Sequence, residues 1–156
     1  MITVAGRNLR VATSQGSPGL LHLLVFNGLG ADLDLMRGFA REIGKFGIGI
    51  VIFDVPGIGG SGVPLLPYRF SCLARLANEV LICLGIEGQV DVAGMSWGGA
   101  LAQEFAHRYP ARISRCQATE ASRRKCIAVV PDPCEGASML PSEDRNTSCE
   151  KRSLVS

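Results

Sequence analysis

Apolar residues fall along this chain in two alternating rhythms, and the alternation stops near residue 113. Leu20 to Phe26, Ile48 to Phe53 and Val90 to Ala93 are short apolar runs broken by little more than His22, Gly49 and Asp91. Runs of this length predict strands covered on both faces, as in a parallel sheet. Between them the spacing turns helical. Asp32 to Phe46 predicts a helix with Leu35, Phe39, Ile43 and Phe46 on one face, and Ser71 to Leu84 another with Leu73, Leu76, Ala77, Val80, Leu81 and Leu84 buried. Ala100 to Tyr109 predicts a third. Ahead of these, Ile2 to Val4 and Leu9 to Thr13 flank the turn Ala5-Gly6-Arg7-Asn8, which predicts a hairpin at a sheet edge.

Strand and helix alternating in this way predict an α/β fold, a mostly parallel sheet with helices on both faces. Open sheets of this kind bind ligands at the carboxyl ends of their strands. Three loops in the sequence fall at such ends.

The loop after the third core strand is Gly94-Met95-Ser96-Trp97-Gly98-Gly99. Strand, Gly-x-Ser-x-Gly, helix is the context of a nucleophile elbow, in which a serine stands on a turn too sharp for flanking side chains. Gly94 and Gly98 remove those collisions, and Gly99 lets the helix approach the strand. Ser96 then faces a helix N-terminus whose free N–H groups favour a developing anion. The competing reading is a Gly-rich turn of purely structural use.

The first loop, Asn27-Gly28-Leu29-Gly30-Ala31-Asp32, is also Gly-rich and also precedes a helix. In a serine hydrolase such a loop turns one backbone N–H toward the reacting carbonyl, and the residue after the serine supplies the second. Those oxyanion donors are then Leu29 and Trp97. The spacing fits neither phosphate-binding glycine motif, and a plain tight turn is the other alternative. The second loop opens with Asp54 ahead of Val55-Pro56-Gly57. A strand-end aspartate invites a catalytic role, but before a Pro-Gly turn the expected role is structural, accepting from nearby backbone N–H groups.

Composition narrows the class. A chain of 156 residues suffices for one domain with a core, and a net charge of +2 without a basic stripe argues against nucleic acid. No apolar stretch is long enough for a signal peptide or a membrane span, which predicts a soluble, cytoplasmic protein. The six cysteines form no Cys-x-x-Cys pair, so neither metal nor redox chemistry is expected, and Cys72 and Cys83 fall on the second helix as core or flank residues.

Taken together, Phe26-Asn27-Gly28-Leu29-Gly30-Ala31, Phe53-Asp54-Val55-Pro56-Gly57-Ile58-Gly59-Gly60-Ser61, Pro67-Tyr68-Arg69-Phe70 and Gly94 to His107 resemble the α/β-hydrolase fold. More narrowly they resemble the intracellular depolymerases of medium-chain-length poly(3-hydroxyalkanoates), over residues 1 to about 113. The resemblance implies Ser96 as nucleophile, Leu29 and Trp97 as oxyanion donors, and hydrolysis of 3-hydroxyacyl ester bonds through an acyl-enzyme. It implies a polyester or small ester substrate, a polyhydroxyalkanoate granule surface as a partner, and no cofactor. A general esterase of the same fold, with another small ester substrate, is the alternative within the family.

The sequence departs from that pattern in its base. A serine triad in this fold runs Ser, Asp or Glu, then His, and the chain has two histidines, His22 and His107. His107 lies on the helix after Ser96, roughly 16 Å along it at 1.5 Å per residue. His22 lies at the entrance of its strand, roughly 16 Å below the catalytic edge at 3.3 Å per residue. Neither serves, so the chain carries no triad acid and base pair. Beyond Ile113 the character changes: all six phenylalanines, both tyrosines and the tryptophan lie between Phe26 and Tyr109, and of the 19 glycines only Gly136 follows. The expected organisation is a partial hydrolase domain over 1–113, cut off after the nucleophile helix, and an unrelated, disordered tail over 114–156. An abrupt change of this kind suggests a shifted reading frame after about Ser114, with a genuine short variant as the alternative. It further predicts that the strand Val90 to Ala93 is left as an unpaired edge, and that the chain alone is an inactive hydrolase fragment.

Overall fold

The computed structural model describes residues 1–63, 68–119 and 150–151. They hold two sheets. Strand β1 (Ile2–Val4) and β2 (Arg7–Leu9) form an antiparallel hairpin. Its turn is shorter than the sequence predicts: Ala5 and Gly6 alone make it, both at positive φ (49° and 71°), the backbone of a two-residue hairpin turn. A third short strand, β8 (Glu150–Lys151), adds antiparallel to the other side of β1.

The main sheet holds five strands in the order β3-β5-β4-β6-β7. They are β3 (Val11–Ser14), β4 (Leu23–Phe26), β5 (Ile50–Phe53), β6 (Val90–Met95) and β7 (Ile113–Thr119), all parallel except β3. The helices α1 (Leu33–Gly44), α2 (Phe70–Cys83) and α3 (Trp97–Arg108) make the crossovers. The apolar runs of β4 and β5 are buried on both faces. Leu24, Phe26, Val51 and Phe53 pack with α2 and α3 around Leu73, Val80, Leu101 and Phe105. Val25, Ile50 and Ile52 alternate to the other face and meet Leu33 and Met36 of α1. Phe26 is the hinge of the larger cluster, with ring centroids 6.1 Å from Phe53 and 5.9 Å from Phe105.

Two expectations fail here. The buried face of α1 is Leu33, Met36, Ala40 and Ile43, whereas Leu35 and Phe46 are each 72% exposed. The helix is rotated from the predicted face because its N-terminus is pinned: Asp32 accepts from the Leu35 N–H at 3.1 Å, and Asp54 from the Leu33 N–H at 2.8 Å. The strand after Ile113 is the second correction. Helix α3 is followed by β7, which runs past the division at Ser114 and pairs in parallel with β6 from Val90↔Ile113 to Met95↔Thr119. The 90–95 strand is therefore not an unpaired edge. The expectation of a disordered tail over residues 120–149 and 152–156 lies outside the described residues.

The rotation of α1 can be tested by truncation. Met36→Ala removes a buried side chain and is expected to destabilise by about 2–5 kcal/mol, while Leu35→Ala, on the exposed side, stays within about 0.5 kcal/mol of the parent. Urea denaturation of the two variants distinguishes this rotation from the one the spacing predicts.

Candidate active site

Ser96 lies between the last residue of β6 and the first of α3, exposed, with φ 53° and ψ −120°. Among the described non-glycine residues it shares positive φ only with Ala5 in the hairpin turn. A side chain in that region is strained by order 1–3 kcal/mol and persists only where its surroundings impose it. The surroundings are tight. A Cβ on Gly94 would sit inside the carbonyl of Gly98 and 2.8 Å from the Gly99 Cα, and one on Gly98 would overlap the carbonyls of Phe26 and Asn27. These glycines let α3 start against the ends of both β6 and β4, so the serine is lifted off the sheet. The Gly99 N–H closes the turn onto the Ser96 carbonyl at 2.8 Å.

The Asn27–Asp32 loop abuts this turn. Gly28 packs so that a Cβ there would lie 3.5 Å from the Met95 carbonyl oxygen. The Ala31 N–H donates to the Gly28 carbonyl at 3.1 Å, Gly30 takes φ 78°, and Leu29 at the tip is 78% exposed. Leu29 and Trp97 line the same small cavity, of about 40 Å³, together with Phe26, Phe53, Val55, Ile58, Tyr68 and Leu101. Ser96 is not on its wall but immediately precedes Trp97, at the cavity's rim in sequence. Trp97 is the first residue of α3, where backbone N–H groups have no partner within the helix. Its indole packs on Phe70 with centroids 5.2 Å apart, and the Tyr68 hydroxyl donates to the Pro56 carbonyl at 3.0 Å. The structure thus brings together Ser96, Trp97, Leu29 and the glycines Gly94, Gly98 and Gly99.

The two histidines stand apart from this group. His22 precedes β4, and its carbonyl accepts from the Asp91 N–H at 2.9 Å, at the opposite end of β4 from Asn27. His107 is exposed in the last turn of α3. Among the described residues no group of three or more His, Cys, Asp or Glu side chains forms a metal cage, and no helix is long and apolar enough to cross a membrane.

Asp54 is structural, but its partner is not local. Its buried carboxylate accepts from the first N–H of α1, and its other oxygen lies 3.7 Å from the Arg10 guanidinium. Arg10 also bonds Asp34 on α1 at 2.8 Å, and Arg37 bonds the same oxygen. Ser61 completes the set, donating to the Asp54 carbonyl at 2.6 Å and accepting from the Arg10 N–H at 3.0 Å. Burial pushes the Asp54 carboxyl above its ordinary value, against the opposing pull of backbone N–H donors and Arg10. Asp34 is held below its ordinary value, chiefly by its hydrogen bond from Arg10. The sequence reading did not find this network. Its one signal is an arginine placed just ahead of β3, next to the strand that ends in Asp54.

The family model described as alpha/beta hydrolase fold matches residues 22–137, and the chain belongs to that family. The chain is 46% identical over 114 residues to the poly(3-hydroxyalkanoate) depolymerase of Ectopseudomonas oleovorans, covering 73% of this chain and 40% of that protein. It is 30% identical over 149 residues to a 2-hydroxy-6-oxononadienedioate/2-hydroxy-6-oxononatrienedioate hydrolase of Paraburkholderia phymatum, covering 93% of this chain and 51% of that one. Among solved structures it resembles the enol-lactonase of Burkholderia xenovorans, with a TM-score of 0.66 and 25% identity over 73% of this chain and 44% of that one. The chain therefore spans about 40–51% of the length of these two relatives.

Two outcomes follow from the geometry. Gly98→Ala forces a methyl into the β4 carbonyls and is expected to cost on the order of 1–3 kcal/mol or more, read by thermal denaturation. The carboxyl shifts have opposite signs. As pH falls, Asp54 protonates first, in the window above the ordinary aspartate value. There the folded state binds the proton more tightly than the unfolded chain, so this step raises stability. Asp34 gives stability that is present above the ordinary value and lost as pH falls through its lowered one. Melting curves against pH are expected to lose the first effect in Asp54→Asn and part of the second in Asp34→Asn.

Proposed function

We propose that this chain carries the nucleophile side of a serine ester hydrolase. In this reading Ser96 Oγ attacks an ester carbonyl carbon, and the Leu29 and Trp97 N–H groups hold the oxyanion. The alcohol then leaves and water releases the acid from the acyl-serine. The observation that carries it is the backbone of Ser96, held at positive φ and exposed by two glycines that admit no side chain. The apolar cavity beside Trp97 suits the acyl part of the substrate. The 46% identity to a poly(3-hydroxyalkanoate) depolymerase supports 3-hydroxyacyl polyesters, and a granule of such polymer, over other esters. A small ester is the second reading, supported by the hydrolase and enol-lactonase relatives.

The attack must shed the Ser96 proton, and this chain has no imidazole near it. The loss of a base leaves only what oxyanion stabilisation and binding supply. The proposal therefore keeps the organisation read from the sequence with its boundary moved: a partial hydrolase domain that β7 carries past residue 113 to Thr119, followed by a tail of different composition. A shifted reading frame accounts for that tail, and a nucleotide sequence whose other frame resumes the hydrolase pattern supports it. A coding sequence with no such continuation in any frame argues for a genuine variant.

The catalytic reading is tested on a short-chain p-nitrophenyl ester. The chain alone is expected to match Ser96→Ala, and added imidazole to raise turnover in the parent above that of Ser96→Ala. Equal rates in the two proteins with imidazole would contradict Ser96 as nucleophile. Turnover that needs Ser96 but no added base would contradict the missing base.

A further inference from the structure

The Arg10, Asp54, Asp34 network touches the functional site at one place, the start of α1. That helix begins where the Asn27–Asp32 loop ends, and the loop carries the Leu29 N–H assigned above to the oxyanion. Helix α1 is only 12 residues long and holds the sheet through one apolar stripe. Its rotation and its starting point are set at the N-terminus. There Asp54 Oδ1 takes the Leu33 N–H at 2.8 Å, and Arg10 bridges Asp54 to Asp34.

We infer that Asp54 is the positioning residue of the oxyanion loop: through the Leu33 N–H, its buried carboxylate fixes where the Leu29–Ala31 turn stands relative to Ser96. The inference rests on the serine-hydrolase reading for what the turn does, but not for where the turn is. Three further observations support it. Asp54 is fixed from behind, because Ser61 binds its carbonyl and the Asp54 N–H donates to the Arg10 carbonyl at 2.9 Å. Gly59, at φ 54°, approaches the carboxyl so closely that a Cβ there would overlap Asp54 Oδ2. The opposite oxygen, Oδ1, is the one bonded to the start of α1. A charge-assisted bond to a backbone N–H is about twice as strong as a neutral one, and here it is sheltered from water.

The charged groups facing Asp54 are Arg10 ahead of β3 and Asp32 before α1, with Asp34 and Arg37 linked to it through Arg10. Burial raises the Asp54 carboxyl above its ordinary range, so its titration is separated from that of Asp34, which moves the other way. Protonation removes the charge from the bond to Leu33 and is expected to reach the loop.

The test is a pH titration of the ¹⁵N-labelled full chain by NMR, reading the amides of Leu29, Gly30, Ala31 and Leu33, with Asp54→Asn and Asp54→Ala beside it. In the parent these four amides are expected to shift together with one midpoint above the ordinary aspartate value. Asp54→Asn keeps an acceptor for Leu33. It is expected to abolish that midpoint while leaving the Leu33 amide protected from exchange. Asp54→Ala is expected to speed Leu33 exchange about tenfold or more and to displace the Leu29–Ala31 signals, with Leu24 and Val92 in the sheet unmoved. Shifts confined to Leu33, with Leu29–Ala31 silent in the titration and in both variants, would overturn the inference. Should Asp54→Ala not fold, the parent titration and Asp54→Asn decide it alone. No step depends on ester turnover, so a failed esterase assay leaves this result readable.

Discussion

Two carbonyl groups at the end of β4 and two glycines facing them set the geometry on which everything else in this molecule depends. Phe26 and Asn27 present their oxygens where any side chain at position 98 would have to stand, and Gly98 in turn closes on Gly94. Because no Cβ intervenes, α3 starts flush against the sheet. The chain has then no room to leave β6 in an ordinary conformation, and Ser96 takes the strain. The same approach buries Leu101 and Phe105 of α3 against Phe26, so the larger hydrophobic cluster helps to hold the strained residue in place. Strain at one exposed serine is sustained by the packing of the domain around it.

The opposite half of the site is held by charge. The Asn27–Asp32 loop has few backbone bonds of its own and a large exposed side chain at its tip. Its exit into α1 is anchored by Asp32, Asp54 and Arg10. The two halves meet where Gly28 packs against the Met95 carbonyl. Packing fixes Ser96, and a buried carboxylate is bonded at the exit of the loop beside it.

Much of this is legible in the sequence, and the exceptions have physical causes. The core strands are plain because both faces of β4 and β5 are covered, and the elbow is plain because only glycine fits at positions 94 and 98. Helix α1 is misleading because Leu35, Phe39, Ile43 and Phe46 form an apolar series of the same number of residues as its true face, Leu33, Met36, Ala40 and Ile43, and carry two phenylalanines. Two aspartates at its N-terminus, not its apolar count, choose the rotation. Strand β7 is missed because Ser114, Arg115, Gln117 and Thr119 carry no apolar run. Its signal is a period of two: Ser114, Cys116 and Ala118 are half-buried while Arg115 and Gln117 are exposed, and Arg115 pairs with Asp91 of β6 at 3.2 Å. The bonds that tie the Asp54 network to α1 and to Arg10 join residues 21 to 51 positions apart, a separation that no local pattern shows.

The central claim is that this chain presents one serine, Ser96, in a geometry built for attack. The most direct measurement is peptide mapping by mass spectrometry after exposure to a serine-directed fluorophosphonate in imidazole buffer. The account predicts a single adduct, on Ser96. Adducts scattered over several serines, or none on Ser96 in folded protein, would contradict it.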